Sequence, residues 1–224
     1  HLEAQNFGFD SLPPRDARYD YADEVVEAVC RLWESWEADA LVRDKARGVW
    51  ADPAKVHYAN YHGQWVRTRG PLTVPRSPQG RPVIMQAGSS PRGRTFAARW
   101  GELVFTLQHD KSGMQAFYRD LKARVIAQGR RAQDCLILPS VDVIIGETDA
   151  IARERQAYVN DLVQPEVGMA LMSGHIGIDL SRFPADQPLT EIALDAGSRG
   201  SLDVILQGTR AYGLTLGEAA RRFA

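Results

Sequence analysis

Cysteine is nearly absent. Cys30 and Cys135 are the only two in 224 residues, too few for a disulfide scaffold or a multi-cysteine zinc module. Net charge is equally scarce: 27 Lys and Arg stand against 28 Asp and Glu, a formal charge of −1. Such a balance offers no global electrostatic footprint to nucleic acid or to an anionic membrane. Long apolar runs are missing as well. The most apolar stretches, such as Val83–Ala87 and Val141–Ile145, are strand-sized, far short of the roughly 20 residues that a spanning helix needs. There is no repeat of fixed period and no low-complexity tract. A Gly-Lys-Ser/Thr phosphate loop, a dinucleotide fingerprint and a Gly-X-Ser-X-Gly elbow are all lacking. His57 and His62 have no Cys, Asp or Glu at ligand spacing beside them, so no metal site is expected.

What is present is an ordinary globular composition, 44% hydrophobic and 25% charged, in a chain long enough to bury one sizeable core. It opens on His1-Leu2-Glu3, with no basic and apolar leader pattern. The expectation is a piece of a longer polypeptide.

From Ala17 to Trp36 a helical period sets Tyr21, Val25, Val29, Leu32, Trp33 and Trp36 on one stripe, with acidic residues over much of the rest. Residues 39–52 read as irregular. Lys55–Arg69 alternates around His62-Gly63 and predicts a hairpin. Pro71, Pro75, Pro78 and Pro82 then make an extended surface connection. Beyond it, Val83–Ala87 predicts a strand buried on both faces, Leu103–Thr106 a second buried strand, and Leu136–Leu138 with Val141–Ile145 a third strand region. Helices are expected over about 92–100, 112–128 and 149–162. This βα alternation implies a parallel sheet with covering helices. A last helix is expected over 214–224, with Thr215 as cap ahead of Glu218. Cys30 and Cys135 read as buried spectators.

The strongest local motif is Gln86-Ala87-Gly88-Ser89-Ser90-Pro91. A strand stops at a glycine, Ser90 suits the helix cap and Pro91 the first helical position. Such a helix start presents backbone N–H groups and a positive dipole end to an anion, as in the phosphate sites at the rim of βα-barrels. The same residues also serve as a plain cap. His175, in Ser173-Gly174-His175-Ile176-Gly177, is expected in a loop after a helix, as an acid/base or donor to reactive oxygen or as a solvated loop residue.

Several segments carry a resemblance. Phe7-Gly8, Arg18-Tyr19-Asp20-Tyr21-Ala22-Asp23-Glu24, Leu32–Glu37, Ala51–His57, Gly70-Pro71-Leu72, Pro75–Gly80, Gln86–Ser90 and Ser173–Ser181 resemble, in order, the nitrilotriacetate monooxygenase-like branch of the bacterial luciferase-like flavoproteins. That branch also holds dibenzothiophene-sulfone and long-chain alkane monooxygenases. The implied fold is α/β, a (β/α)8 TIM barrel of the luciferase-like type with insertions. Residues 1–224 would form one partial barrel domain, its central to C-terminal part without the N-terminal strands, and the Pro-rich hairpin insertion at about 53–82. A closed barrel takes about 250 residues.

The implied activity is that of an FMN-dependent, two-component, cytoplasmic monooxygenase. A separate NAD(P)H-dependent flavin reductase supplies reduced FMN. With O2 this gives a C4a-(hydro)peroxyflavin that oxygenates an aminopolycarboxylate, an organosulfur compound or an alkane. The resemblance carries the flavin phosphate onto Ser90, with Gly88 and Ser89 beside it, and onto Tyr19. Arg15 stands where the family often has histidine, and arginine pairs with phosphate bidentately. His175 is carried over as the catalytic histidine. A homodimer or homotetramer is implied, and inactivity of this chain alone if its barrel is incomplete. Two rival readings stand beside it: a non-catalytic flavin- or phosphate-binding barrel fragment, and an unrelated βα enzyme for a sugar phosphate.

Overall fold

A computed structural model describes residues 2–108, 110–176, 178–188 and 213–223. The chain divides into two compact units. The first comprises His1–Gln86, Thr95–Val104 and Arg124–Leu136. Its opening helix α1 (Leu2–Asn6) occupies a stretch without sequence period. Helix α2 (Arg15–Trp33) begins directly after Pro13-Pro14, because proline fits just outside a helix and not within it. It ends three residues before the expected Trp36. There the Ser35 hydroxyl donates to the Leu32 carbonyl at 2.7 Å and accepts from the Leu72 N–H at 3.0 Å, while Trp36 Nε1 donates to the Leu72 carbonyl. These bonds draw the chain out of the helix and tie the Pro-rich segment to it.

The buried line of α2 is not the expected apolar stripe. Glu24, Ala28 and Cys30 are buried, whereas Tyr21 is 49% exposed and Val25, Val29, Leu32 and Trp33 are half-buried. Two of the acidic residues outside that stripe have donors from α2 itself or from Arg99 and Trp100. Asp23 accepts from Trp100 Nε1 at 2.6 Å and pairs with Arg99, and Glu27 pairs with Arg31 and Arg99.

Residues 39–52 also depart from expectation. They hold an antiparallel hairpin of β1 (Leu41–Asp44) and β2 (Val49–Ala51), closed by Asp44 accepting from the Arg47 N–H at 3.0 Å. Strands β3 (Tyr61–His62) and β4 (Arg67–Thr68) pair antiparallel where the alternation predicts a hairpin.

A three-stranded sheet has the order β5 (Met85–Gln86), β6 (Leu103–Thr106), β7 (Leu136–Pro139). β5 runs parallel to β6, with Met85 opposite Leu103. Helix α3 (Pro91–Trp100) connects β5 to β6, and α4 (Lys111–Ala127) connects β6 to β7, so the predicted βα alternation is present. One expectation of burial and one of a strand fail. Val83 and Met85 are each 55% exposed, and 141–145 forms no strand, Val143 and Ile145 being about three-quarters exposed. An apolar run becomes a buried strand only where backbone partners and a covering layer meet it; β5 has its backbone partner in β6 but Met85 is left uncovered, and 141–145 has no strand partner among the described residues.

The second unit comprises Ala87–Arg94, Phe105–Ala123 and Ile137–Ala224. Helix α5 (Asp149–Leu162) has the expected bounds, with the Thr148 hydroxyl accepting from the Ile151 N–H. Helices α6 (Pro165–Ile176) and α7 (Leu216–Phe223) share a core of Met172, Ile176, Leu180, Leu216 and Ala220. Gly168 permits their close approach: a Cβ there would lie 2.5 Å from the Ala220 carbonyl oxygen. The Thr215 cap forms as expected. Glu218 N–H donates to its hydroxyl, and Thr215 N–H donates to the Glu218 carboxylate at 2.9 Å, a reciprocal capping box. Among the described residues no helix is long and apolar enough to cross a membrane.

Candidate functional site

The chain leaves β5 at Gln86 and enters α3 at Pro91, so Ala87–Ser90 is a four-residue turn at the C-terminal end of a parallel strand. Open α/β sheets place ligands at these ends. Ser90 is buried, at 6% exposure, and its Oγ accepts from the Gly93 N–H at 3.1 Å. The Arg94 N–H donates to the Ser90 carbonyl at 2.8 Å. Ser90 is therefore the cap and Pro91 the first helical residue, as the sequence indicates. Capping uses a lone pair of the hydroxyl and leaves its proton as a donor. Ser89 and Gly88 are half-buried in the same turn.

One turn into α3, Arg94 donates from Nη1 to Asp120 at 2.7 Å. The buried Nε–H of the same side chain has no hydrogen-bond partner among the described residues. A buried guanidinium N–H without an acceptor is costly, and an anion is the acceptor it suits best. Sequence reasoning missed Arg94; the available signal was an arginine one turn past the capping serine.

A second polar end lies on β6. Thr106 is buried, and its Oγ1 accepts from Gln108 Nε2 at 2.9 Å. Asp110 accepts from the Gly113 N–H at 2.7 Å and so caps α4. Because β5 and β6 are parallel, these groups and the Gly88–Ser90 turn follow the same ends of neighbouring strands. Polar residues directly behind the apolar Leu103–Phe105 run were the signal for them.

The remaining sequence candidates fall elsewhere. Arg15 and Tyr19 are four residues apart at the start of α2, positions that share one helix face. The half-buried Tyr19 ring stands 5.6 Å from that of Phe96, tilted by 52°. His175 is not in a loop. It occupies the last turn of α6, exposed, with Nδ1 3.2 Å from the Leu171 carbonyl and its ring edge-on to Phe223 at 4.9 Å. The α6–α7 packing carries the helix through Gly174, so that glycine did not break it; Gly177 lies outside the described residues. Of the sequence candidates, the structure brings Gly88, Ser89 and Ser90 together in one turn.

Other polar groups have structural work. His57 Nε2 pairs with Glu37 at 2.7 Å. Cys30 and Cys135 are buried, and burial pushes the Cys30 thiol up, opposed by Arg81, whose Nη1 lies 3.5 Å from the sulfur.

Comparison with known proteins gives this geometry its context. The profile of the luciferase-like monooxygenase family matches residues 2–200. The chain is 51% identical over 224 residues to the dibenzothiophene-sulfone monooxygenase of Rhodococcus erythropolis, covering 99% of this chain and 49% of that protein. The chain belongs to the luciferase-like monooxygenase family. It is 40% identical over 222 residues to nitrilotriacetate monooxygenase component A of Aminobacter aminovorans, covering 98% and 49%. A riboflavin lyase, crystallised with modified FMN and its substrate riboflavin, superposes with a TM-score of 0.81 at 35% identity, over 97% of this chain and 47% of that one. The chain thus spans about half the length of the curated luciferase-like relatives it matches.

Proposed function

We propose that this chain supplies the flavin-phosphate end of an FMN-dependent monooxygenase, cytoplasmic and homo-oligomeric (a dimer or tetramer), that oxygenates a small organic substrate. A separate NAD(P)H-dependent reductase would provide the reduced flavin. The observation that carries the reading is the Gly88–Arg94 segment: a capping serine with a hydroxyl proton to give, one turn before a guanidinium whose buried Nε–H finds no acceptor among the described residues. That donor set fits a phosphate.

When bound, reduced FMN supplies the electrons and the activation of O2. The chain's own residues bind and orient it. Ser90 and Ser89 would donate to the phosphate, Gly88 would let the backbone approach it, and Arg94 would balance its charge. Tyr19 and Arg15, on one face of α2, are proposed as further phosphate partners. His175 is proposed as the proton-handling residue. With Nδ1–H given to the Leu171 carbonyl, its Nε2 keeps a lone pair for a proton. Among the aminopolycarboxylate, organosulfur and alkane substrate classes, the 51% identity to a sulfone monooxygenase favours the organosulfur class.

We further propose that β5, β6 and β7 belong to a (β/α)8 barrel, with residues 1–224 as one partial domain and 53–82 as its insertion. Parallel sheets are covered on both faces, yet Met85, Leu136 and Leu138 are exposed here. The same exposure favours a second reading, a flavin-binding fragment without turnover. Titration with FMN and with riboflavin tests the site. FMN should bind at least tenfold tighter, since riboflavin lacks the phosphate, and equal affinities would overturn the assignment. Turnover of an organic sulfone with a flavin reductase present separates the two readings, and substitution of His175 by Asn should lower that turnover without weakening FMN binding.

A further inference from the structure

The hairpin of β3 and β4 has very little of its own to hold it. Only two residue pairs form its ladder, Tyr61 with Thr68 and His62 with Arg67, and isolated two-stranded ribbons are marginal even when longer. Its tip, Gly63–Val66, closes with a single bond from the Gly63 N–H to the Val66 carbonyl at 2.9 Å. Three further N–H groups at the tip point outward from the ladder, and all three reach one side chain. Glu24 Oε2 accepts from Gln64 at 3.0 Å, and Oε1 accepts from Trp65 at 2.8 Å and from Val66 at 2.5 Å. One turn before Glu24 on α2, Tyr21 meets the Trp65 ring edge-on, with centroids 6.1 Å apart. Gly63 completes the fit, because a Cβ there would lie 1.9 Å from Glu24 Oε1.

We propose that Glu24 is an ionised latch that fastens the 61–68 hairpin onto α2 and sets Trp65 against Tyr21, so that the strap is closed while this carboxylate is charged and opens when it is neutralised or displaced. A carboxylate is the right group because it has lone pairs for three donors at once. A glutamine, one acceptor atom poorer, leaves at least one tip N–H short and turns its own amide protons on donors.

The surroundings leave the titration to Glu24 itself. Burial acts to raise its carboxyl, but the three N–H groups of Val66, Trp65 and Gln64 outweigh it and hold the group below the usual carboxylate range. Tyr61 of the hairpin is the titratable group that feels Glu24, together with Glu27 and Arg31 from α2 and Arg99 from α3, and burial pushes its phenol up, away from the acid range. The sign follows. A carboxyl with a lowered folded pKa contributes stability above its unfolded value, about 4.5, and loses it as pH falls through the folded value. The latch therefore opens in acid.

The experiment measures hydrogen exchange of the Gln64, Trp65 and Val66 amides in the whole chain, with amides of α4 as internal reference. Glu24→Gln should lower protection at those three amides at least about tenfold while α4 is unchanged, an effect of one lost charge-assisted bond. Gly63→Ala should do the same from the other side, by expelling the carboxylate. The double variant should add little to either single one, as expected for partners in one interaction. In the native chain, protection at the three amides, corrected for intrinsic exchange, should fall with acid before that of α4. Unchanged protection in Glu24→Gln, or full additivity of the two substitutions, overturns the proposal. If Glu24→Gln fails to fold, Gly63→Ala and the acid titration decide it.

Discussion

Replacing Ser90 by alanine separates two jobs that one hydroxyl is asked to do. In the folded chain its Oγ accepts the Gly93 N–H at 3.1 Å, and at 6% exposure water has little access to replace it. Loss of a serine cap costs about 1 kcal/mol. For a chain of this length that corresponds to a fall of about 2–4 °C in the melting temperature. The second job is the hydroxyl proton given to a phosphate. A hydrogen bond to a charged group contributes about 1.5–3 kcal/mol, so FMN affinity should fall about tenfold to a hundredfold. Riboflavin, without the phosphate, should bind Ser90→Ala and the native chain alike. Fluorescence titration with both flavins, beside thermal denaturation, reads the two effects separately. Ser90→Thr keeps the hydroxyl and should restore both. If FMN and riboflavin weaken by the same factor, Ser90 does not hold the phosphate. An unchanged melting temperature would refute the capping energetics.

Three other substitutions or probes test neighbouring claims. Arg94→Met should weaken FMN more than riboflavin and cost no more than about 1 kcal/mol of stability, since its bond to Asp120 is partly exposed; equal loss for both flavins would remove Arg94 from the site. Gly168→Ala should lower the unfolding free energy measured by denaturant titration by about 1–3 kcal/mol, because its Cβ meets the Ala220 carbonyl, a backbone atom that cannot swing away; a neutral result would refute the close α6–α7 contact. Cys30 and Cys135, both buried, should react with a thiol reagent only after denaturation, and rapid labelling of the folded chain would contradict their burial.

How much of this could be read from the residues depended on how far apart the partners lie. The βα alternation was legible because strand and helix periods are local, and α5 and β6 fall where the pattern sets them. The β1–β2 hairpin was not, since its turn is made by Asp44 reaching the Arg47 backbone, not by a glycine-rich dipeptide. Val141–Ile145 read as a strand on apolar content alone. Pairing is a tertiary property, and that segment lacks it among the described residues. His175 read as a loop residue because of its flanking glycines, but the contact of α6 with α7 overrides their weak helix propensity.

The same distance rule explains the site. Ser90 and the N–H it caps are three residues apart, so an anion-binding turn shows in the sequence as Gly-Ser-Ser-Pro. Arg94 and Asp120 are 26 apart, and Glu24 binds N–H groups 40 to 42 residues away. No period or motif encodes such a pairing. On α2 this misleads in a definite way, since an acidic residue whose donors arrive from a distant hairpin looks identical, in sequence, to one facing water. Glu24 is more buried than Val25 beside it because three backbone N–H groups compensate its desolvation. Hydrophobic pattern alone assigns the buried face of a helix only where no such compensation exists, and α2 is a case where it does.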